Sequence, residues 1–490
     1  MKLIILHYKR HLIISSWLIG ILFCSVARSD DTHYQDFIVG GRALGLAGAF
    51  TSIANEPSGL YYNPAGIVDA KELRLQVSTS LYGFERGELR EDFHLPVPGV
   101  EDLNIAFTEL IIVPASAGFI KTFGEKDEEG HHKEAYSVSV LVPSFRTNST
   151  TSAASTEDVD DPETPLLVEE AQSYRRHVSD RTLWSGIGYA RKITSQLRLG
   201  ISGFYVLRSV KDSEDVATNA LVGESGLDIF DIVSNEISLV NGSVVLMGGA
   251  KYLVTPEFMV GLNLQSPSLQ LHSRSSLRFT RGHSIPNCPE GIDCTSEEIF
   301  DEGANSTFEQ IALDTAKSHT KYAPSLRFGA SYSRERKYTF SADISYHFPI
   351  NYKLIGLSDI SEDLQKSLPF TNAVERNGVV NANIGAEILV IREVSIAGGV
   401  FSDFSSASAI SNEPKSQQLP KINLLGLTMA LSYIAEHSLS RLGFLYSFGS
   451  GYDVLPENDI ERLVDVDLSF QRVEYVQSFF YVFLSSTFRY

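Results

Sequence analysis

The sequence predicts an all-β protein: a closed transmembrane antiparallel β-barrel of about 14 strands. Three observations carry this. Apolar and polar residues alternate with a period of two through most of the chain after Lys71. The connections between alternating stretches sort into short and long in strict succession, as periplasmic turns and external loops do in a membrane barrel. The final stretch, rich in Phe and Tyr, is a strand that ends on Tyr490.

At the start of the chain, Lys2, Lys9 and Arg10 precede an apolar run from Leu12 to Phe23, followed by Ser25, Ala27 and Ser29. This is the layout of a cleaved secretory signal within residues 1–29, with cutting after Ala27 or Ser29. Cys24 invites lipidation, but the bulky Phe23 stands where a lipobox needs a small residue. The apolar run is also too short for a membrane-spanning helix.

From Asp36 to Asp69 the chain reads DFIVGGRALGLAGAFTSIANEPSGLYYNPAGIVD. Gly41, Gly45 and Gly48 permit bending and close packing, with small or apolar residues between them. Glu56-Pro57-Ser58-Gly59 and Tyr62-Asn63-Pro64-Ala65-Gly66 are turn signals. Asn63 precedes a proline, which biases it to extended backbone and lets its side chain bond nearby main chain. Gly41-Arg42-Ala43-Leu44-Gly45, Gly48-Ala49 and above all Asn63-Pro64-Ala65-Gly66 resemble the N-terminal hatch of the FadL-type family, outer-membrane channels for long-chain fatty acids and other hydrophobic compounds. The resemblance covers about thirty residues. It implies a hatch over 30–70 plugging a barrel over 71–490 in the bacterial outer membrane. Gly41, Arg42, Gly45, Gly48, Asn63, Pro64, Ala65 and Gly66 are then the gating candidates. Diffusion through such a channel needs no cofactor.

Fourteen alternating stretches follow: 71–84, 110–121, 135–147, 181–193, 196–210, 243–254, 257–264, 325–333, 337–349, 380–390, 393–403, 423–436, 438–449 and 475–490. The clearest sets Tyr338, Phe340, Ala342, Ile344, Tyr346 and Phe348 against Thr339, Ser341, Asp343, Ser345 and His347. Long connections at 85–109, 148–180, 211–242, 265–324, 350–379, 404–422 and 450–474 alternate with short turns, 124–134 being intermediate. An even strand count returns both termini to one side. Strands that cross a bilayer satisfy their backbone groups only if the sheet closes. In the last strand Tyr490, Phe488, Leu484, Val482 and Phe480 share a face, the kind of terminal signal that barrel assembly machinery reads. A soluble sandwich or propeller would lack the two-sided sorting of loops.

Composition narrows function. Removal of residues 1–27 takes away three cations and no acids, moving the net charge from −19 to −22. Such acidity argues against a nucleic-acid partner, which needs clustered Lys and Arg. Cys288 and Cys294 in CPEGIDC read as a disulfide closing a small loop in an oxidising compartment, and no further ligand stands at metal-site spacing. GxSxG, HExxH and P-loop motifs are absent, so no enzyme is signalled, and His131-His132 reads as a solvated pair. The acidic stretch 151–173 and the acids around the cysteines read as solvated external loops. The sequons at Asn148, Asn241 and Asn305 carry no weight in an outer-membrane protein.

The polar faces direct Arg74, Arg198, Arg208, Arg327 and Arg441 to the lumen with Asp343, His347 and Glu387. Arg74, Arg198, Arg327 and Arg441 are candidate contacts for a carboxylate headgroup, because guanidinium matches two oxygens; ion pairing inside the barrel is the other role open to them. The apolar segment 220–240 reads as an amphipathic helix at the barrel mouth, a candidate for capture. Pro143 breaks the ladder of the third strand; family members have a lateral opening there, and Pro114 lies similarly in the second. The resulting expectation is passive uptake of fatty acids or other hydrophobic molecules, by loop capture, hatch displacement and lateral exit into the membrane lipids. The rival is a barrel of the same kind acting as a surface adaptor for secreted proteins.

Overall fold

The computed structural model describes residues 32–34, 36–70, 74–90, 105–157, 167–222, 227–284, 306–334, 337–357, 372–414, 418–457 and 469–489. The predicted signal segment, Cys288 and Cys294, most of the acidic loops and Tyr490 lie outside these residues.

The described strands are β1 (Arg74–Arg90), β2 (Ile105–Lys126), β3 (His132–Glu157), β4 (Leu167–Lys192), β5 (Leu197–Val222), β6 (Leu227–Leu253), β7 (Phe258–Gln265), β8 (Leu269–Ser284) and β9 (Ser306–Ala316). They continue as β10 (Ser325–Arg334), β11 (Tyr338–His347), β12 (Ile350–Lys353), β13 (Ala373–Arg376), β14 (Val379–Ile391), β15 (Val394–Asp403), β16 (Lys421–Ile434), β17 (Ser438–Glu457) and β18 (Ser469–Arg489). Fourteen of them form a closed antiparallel ring: β1 to β7 in order, then β10, β11, β14, β15, β16, β17 and β18, which pairs back onto β1. All fourteen stretches read from the sequence are members of this ring.

Closure follows from the alternation. Along β16, Leu425, Leu427, Met429, Leu431 and Tyr433 face outward and are exposed, while Leu424, Thr428, Ala430 and Ser432 are buried inside. The same pattern exposes Phe340 and Ile344 on β11 and Phe480, Val482 and Leu484 on β18. An apolar exterior around a polar-lined interior is the inverse of a soluble barrel and fits a hydrocarbon environment. No described helix is long and apolar enough to span a membrane; the crossing elements are strands.

Three expectations need correction. The described residues of segment 220–240 are strand, not helix: 220–222 end β5 and 227–240 belong to the upper part of β6, with Val233, Ile237 and Leu239 buried and intervening residues on the other face. A burial period of two decides the matter, and Asp228, Asp231 and Glu236 fit a strand as well as a helix. Second, much of the predicted loops 148–180 and 211–242 is strand. The ladders of β3, β4, β5 and β6 run far past the length needed to cross a bilayer, and β8 takes over from β7 as the partner of upper β6. Third, the first strand is not one alternation. A register shift between Gln76 and Ser78 leaves Leu75 exposed but buries Leu81, and Tyr82 and Phe84 take the outer face.

The projecting sheet has its own core. Val233, Ile237, Leu239, Leu277 and Phe279 pack on Ile355 and Leu357 from the segment that follows β12. Asn241, one of the sequon asparagines, is buried and bonds Thr320 and Ser318 at 2.7 Å each. Those bonds hold the chain between β9 and β10 against the barrel wall.

Candidate functional site

Residues 32–34 and 36–70 lie inside the ring, nearly all buried. Two short helices, α1 (Gly41–Gly45) and α2 (Gly59–Tyr62), and a 3-10 turn over Pro64–Asp69 are the segment's regular structure. Its apolar side chains, among them Leu44, Leu46, Phe50, Leu60 and Ile67, join one core with lumen residues Phe204, Val206, Tyr481 and Phe483. Plug and wall thus share one apolar core inside a ring whose inward faces also carry polar and charged side chains.

Glycine allows the close fit. A Cβ on Gly41 would come within 2.3 Å of Ser485 Oγ, and Gly48 sits at φ +84°, a conformation unfavourable for other residues. At the opposite end the wall provides the space: a Cβ on Gly249 would lie 2.1 Å from Asn63 Oδ1, and one on Gly200 would lie 2.5 Å from the Pro64 carbonyl carbon. Asn63 is extended, as its proline neighbour requires (φ −168°, ψ 102°). Its Oδ1 accepts from the Ala65 N–H (3.1 Å), and its Nδ2 donates to the carbonyls of Thr51 and Ala250 (2.9 Å each). The Asn-Pro-Ala-Gly turn is thereby fastened to β6.

Charge pins the plug around its circumference. Glu56, almost wholly buried, receives Arg441 Nη1 at 2.8 Å. Asp69 receives Arg198 at 3.1 Å and Lys251 at 2.8 Å. Arg42 reaches Glu387 at 2.9 Å. Asp343 Oδ2 accepts from the N–H groups of Phe50 and Thr51 and from Thr51 Oγ1, at 3.0, 2.9 and 2.6 Å. Arg74 donates to the Asn55 carbonyl at 3.0 Å.

Of the four candidate headgroup arginines, then, the structure engages Arg198 and Arg441 with plug carboxylates and Arg74 with plug main chain. Arg208 pairs with Asp180 on the neighbouring strand, in a bidentate arrangement of 3.1 and 2.6 Å. Arg327 differs. Its guanidinium lies over the rings of Tyr62 (5.0 Å) and Tyr61 (5.5 Å), and its Nη1 has no hydrogen-bond partner among the described residues. Tyr61 also meets Trp184 edge-on at 5.7 Å, and Trp184 meets Phe204 and Tyr322. The indole Nε1 of Trp184 is buried and likewise lacks a partner among the described residues. Two donors thus flank an aromatic cluster that adjoins the plug.

Pro143 lies at a break in the wall. The β2–β3 ladder runs from Lys126↔His132 to Ser116↔Leu141 and goes no further among the described pairings, although both strands continue. The β3–β4 register also shifts between Leu141 and Ser144. The Pro143 carbonyl accepts from the plug's Phe37 N–H at 3.0 Å, and Asp36 engages Ser144 Oγ (2.5 Å) and Arg146. Pro114, by contrast, stays within the β1–β2 ladder opposite Ser80. His131 and His132 sit at the 127–131 turn, where His131 lies 3.5 Å from Glu129.

Sequence reasoning selected the lumen cations but not their partners. Asp36, Glu56 and Asp69 stand in the plug sequence as its three carboxylates between residues 36 and 69. Acids in an otherwise small and apolar segment destined for a lumen rich in arginine were the available signal. Lys251 and Trp184 lay within strands already read, without a mark of their own.

No family model and no curated protein sequence matches the chain. Solved structures do match. A FadL homologue from Pseudomonas aeruginosa aligns over 93% of this chain and 99% of its own, with a TM-score of 0.57 and 12% identity. The toluene transporter TodX from P. putida aligns over 93% and 99% at a TM-score of 0.52 and 12% identity. The monoaromatic hydrocarbon channel CymD aligns over 92% and 97% at 0.50 and 12%. At such identity the likeness is one of fold: the chain has the architecture of FadL-type barrels.

Proposed function

We propose that this FadL-like barrel is an outer-membrane channel for passive uptake of hydrophobic molecules, with long-chain fatty acids as the first candidate. The observation that carries the reading is a barrel plugged along its axis yet unladdered in its wall, with the plug touching the break at Pro143. An apolar solute leaving through that break would enter hydrocarbon without crossing an aqueous lumen, so its apolar surface is never exposed to water on the way. The mouth segments and projecting sheet would gather the solute, and the aromatic cluster at Tyr61 and Trp184 would hold it. Arg327 would take an anionic or accepting head. Movement of the plug residues upstream of Gly48 would then clear the path, with Gly41 and Arg42 in the moving part and Asn63, Pro64, Ala65 and Gly66 as its fixed end.

Mass spectrometry of small molecules extracted from the purified barrel tests this. A stoichiometric fatty acid or other hydrophobe is expected. Arg327→Ala should reduce retention of an acidic amphiphile about tenfold or more, since a hydrogen bond to a charged group contributes about 1.5–3 kcal/mol. It should leave a neutral hydrocarbon nearly unaffected. A specific observation keeps the adaptor reading alive: the projecting sheet carries a second hydrophobic core, more structure than a capture loop needs. An empty barrel that co-purifies with a secreted protein would favour that reading.

A further inference from the structure

The hydrocarbon-facing wall is not evenly clothed. Along β16 every outward position from Leu425 to Tyr433 carries a large apolar side chain. Across β10, β11, β14 and β15, four outward positions are small instead: Ala330, Ala342, Ala386 and Gly398. Register joins them. Ala330 pairs with Ala342 and Ala386 with Gly398, and Ala386 lies opposite Phe340, one outward position from Ala342. They form the floor of an apolar groove of about 420 Å³ that crosses the four strands diagonally. Tyr332 and Phe340 bound one side of it, Ile384 and Val400 the other.

The plug accounts for the small residues on the inside of this wall. A Cβ on Gly385 would lie 2.5 Å from the Leu46 carbonyl oxygen, and one on Gly399 would lie 2.8 Å from Ala47 Cβ. Ala330, Ala342 and Ala386 alternate to the outer face, away from the plug, so its packing does not require them to be small.

Depth and charge indicate what fills the groove. The β10–β11 and β14–β15 connections are of the short, periplasmic kind. Ala330 is four residues from Arg334 and Ala386 five from Ile391, about 13 and 17 Å along the strands. With a strand tilt of about 45°, the groove lies roughly 9–12 Å from those turns, in the periplasmic half of a hydrocarbon core ~30 Å thick. On the periplasmic side of the groove, Tyr338 stacks on Tyr332 at 6.1 Å between centroids and meets Phe340 at 5.4 Å, an aromatic girdle of the sort found at headgroup level. Beyond the girdle the turn reads Arg334-Glu335-Arg336-Lys337, three cations against one acid in a chain of net charge −19. Arg334 and Lys337 are exposed, and the Lys337 carbonyl accepts from the Leu389 N–H at 2.8 Å, which sets this turn against β14. The exposed charges of the neighbouring turns, Glu257, Arg392 and Glu393, nearly cancel.

We propose that this groove binds a phospholipid of the periplasmic leaflet, with one acyl chain on the alanine floor and the phosphate held by Arg334 and Lys337. A groove of fixed shape gives an acyl chain contacts on three sides that a smooth wall does not. Guanidinium and ammonium groups supply charge-assisted hydrogen bonds to the phosphate. The site rests on the placement of the barrel in a membrane and not on the channel reading; a barrel without uptake activity should hold the lipid all the same.

The test is native mass spectrometry of the delipidated full-length barrel in detergent, titrated with dipalmitoyl phosphatidylglycerol. One molecule should be retained, about tenfold more tightly than dipalmitoylglycerol, which has the same chains and no phosphate. Ala342→Leu combined with Ala386→Leu fills the floor and should weaken retention about tenfold or more. Leu427→Phe with Leu431→Phe, which adds bulk elsewhere on the outer wall, should leave it unchanged. Arg334→Gln with Lys337→Gln should remove the preference for the phosphate-bearing lipid. Heat-modifiable gel mobility checks that each variant is folded. Equal retention by the filled and unaltered barrels overturns the site and assigns the lipid to the lumen or to unspecific contact. Equal retention of the two lipids by the unaltered barrel overturns the headgroup assignment. A detergent-stable dimer that the two leucines dissociate also overturns the proposal, giving the groove to a second copy of the chain.

Discussion

The two ends of the plug are held in different ways. The segment from Thr51 to Asp69 is seated by close packing on wall glycines, with Pro64 main chain against Gly200, Thr51 main chain against Gly261 and the Asn63 amide against Gly249, all closer than a Cβ would allow, and by the ion pairs of Glu56 and Asp69. The arm at 32–34 and 36–37 is held mostly by side chains and a few hydrogen bonds. Backbone packing of the first kind has no alternative arrangement of similar energy, because interiors are close-packed. Side-chain contacts can be exchanged one at a time for water or ligand. The comparison teaches that the Asn-Pro-Ala-Gly turn need not be the moving part of a gate; its close packing on Gly200 and Gly249 suits a mount.

The comparison can be broken at its strongest point first. Arg441→Ala should strand Glu56 as a buried charge and destabilise the seated end by about 3–5 kcal/mol. The readout is thermal release of the plug together with ion leak through planar bilayers. Gly249→Val comes next: overpacking against Asn63 should cost about 1–3 kcal/mol, visible as the same leak at lower temperature. Asn63→Ala, which removes three hydrogen bonds, should fall in the same range or below, at about 1–3 kcal/mol for the groups left unpaired. If it leaves both leak and hydrophobe uptake unaltered, the motif is neither mount nor gate.

Smaller effects sharpen the contrast. Deuterium uptake at Val142 and Ser144 should be fast in the unaltered barrel, since β2 does not pair there; protection on both sides of Pro143 would close the proposed exit. The smallest effect is a control outside the plug, at the 127–131 turn. A hydrogen bond from Lys192 holds the Asp127 carboxyl down at about 2, below its ordinary value of 3.8. A depressed folded value means the stabilisation is present above about 3.8 and is lost as pH falls through about 2. The turn amides of His131 and Glu129, which Asp127 also accepts, should lose protection in that window while the plug amides do not.

Much of the candidate site was legible and some was not. The lumen arginines were placed by strand alternation, yet three of the four headgroup candidates serve the plug, because what an inward cation meets depends on which acid the folded plug brings to its height. Arg327 is distinguished from Arg198 and Arg441 by position alone; its sequence neighbourhood gives no hint. The misread 220–240 segment is instructive in the same way. Its apolar residues fit both periods over a short window, and only pairing with β5 and β8 chose between them.

By itself the sequence determined the barrel: period-two alternation fixes which face of each strand meets hydrocarbon, and backbone satisfaction in a bilayer then requires closure. It also determined the compact, glycine-lined plug, since those residues support neither a long helix nor a strand. Tertiary structure decided how far the strands project beyond the membrane, which cations pair with Glu56 and Asp69, and that Asp36 and Phe37 meet the break at Pro143. Those outcomes join residues up to several hundred positions apart, and no local period encodes a contact that exists only once the ring has closed around the plug.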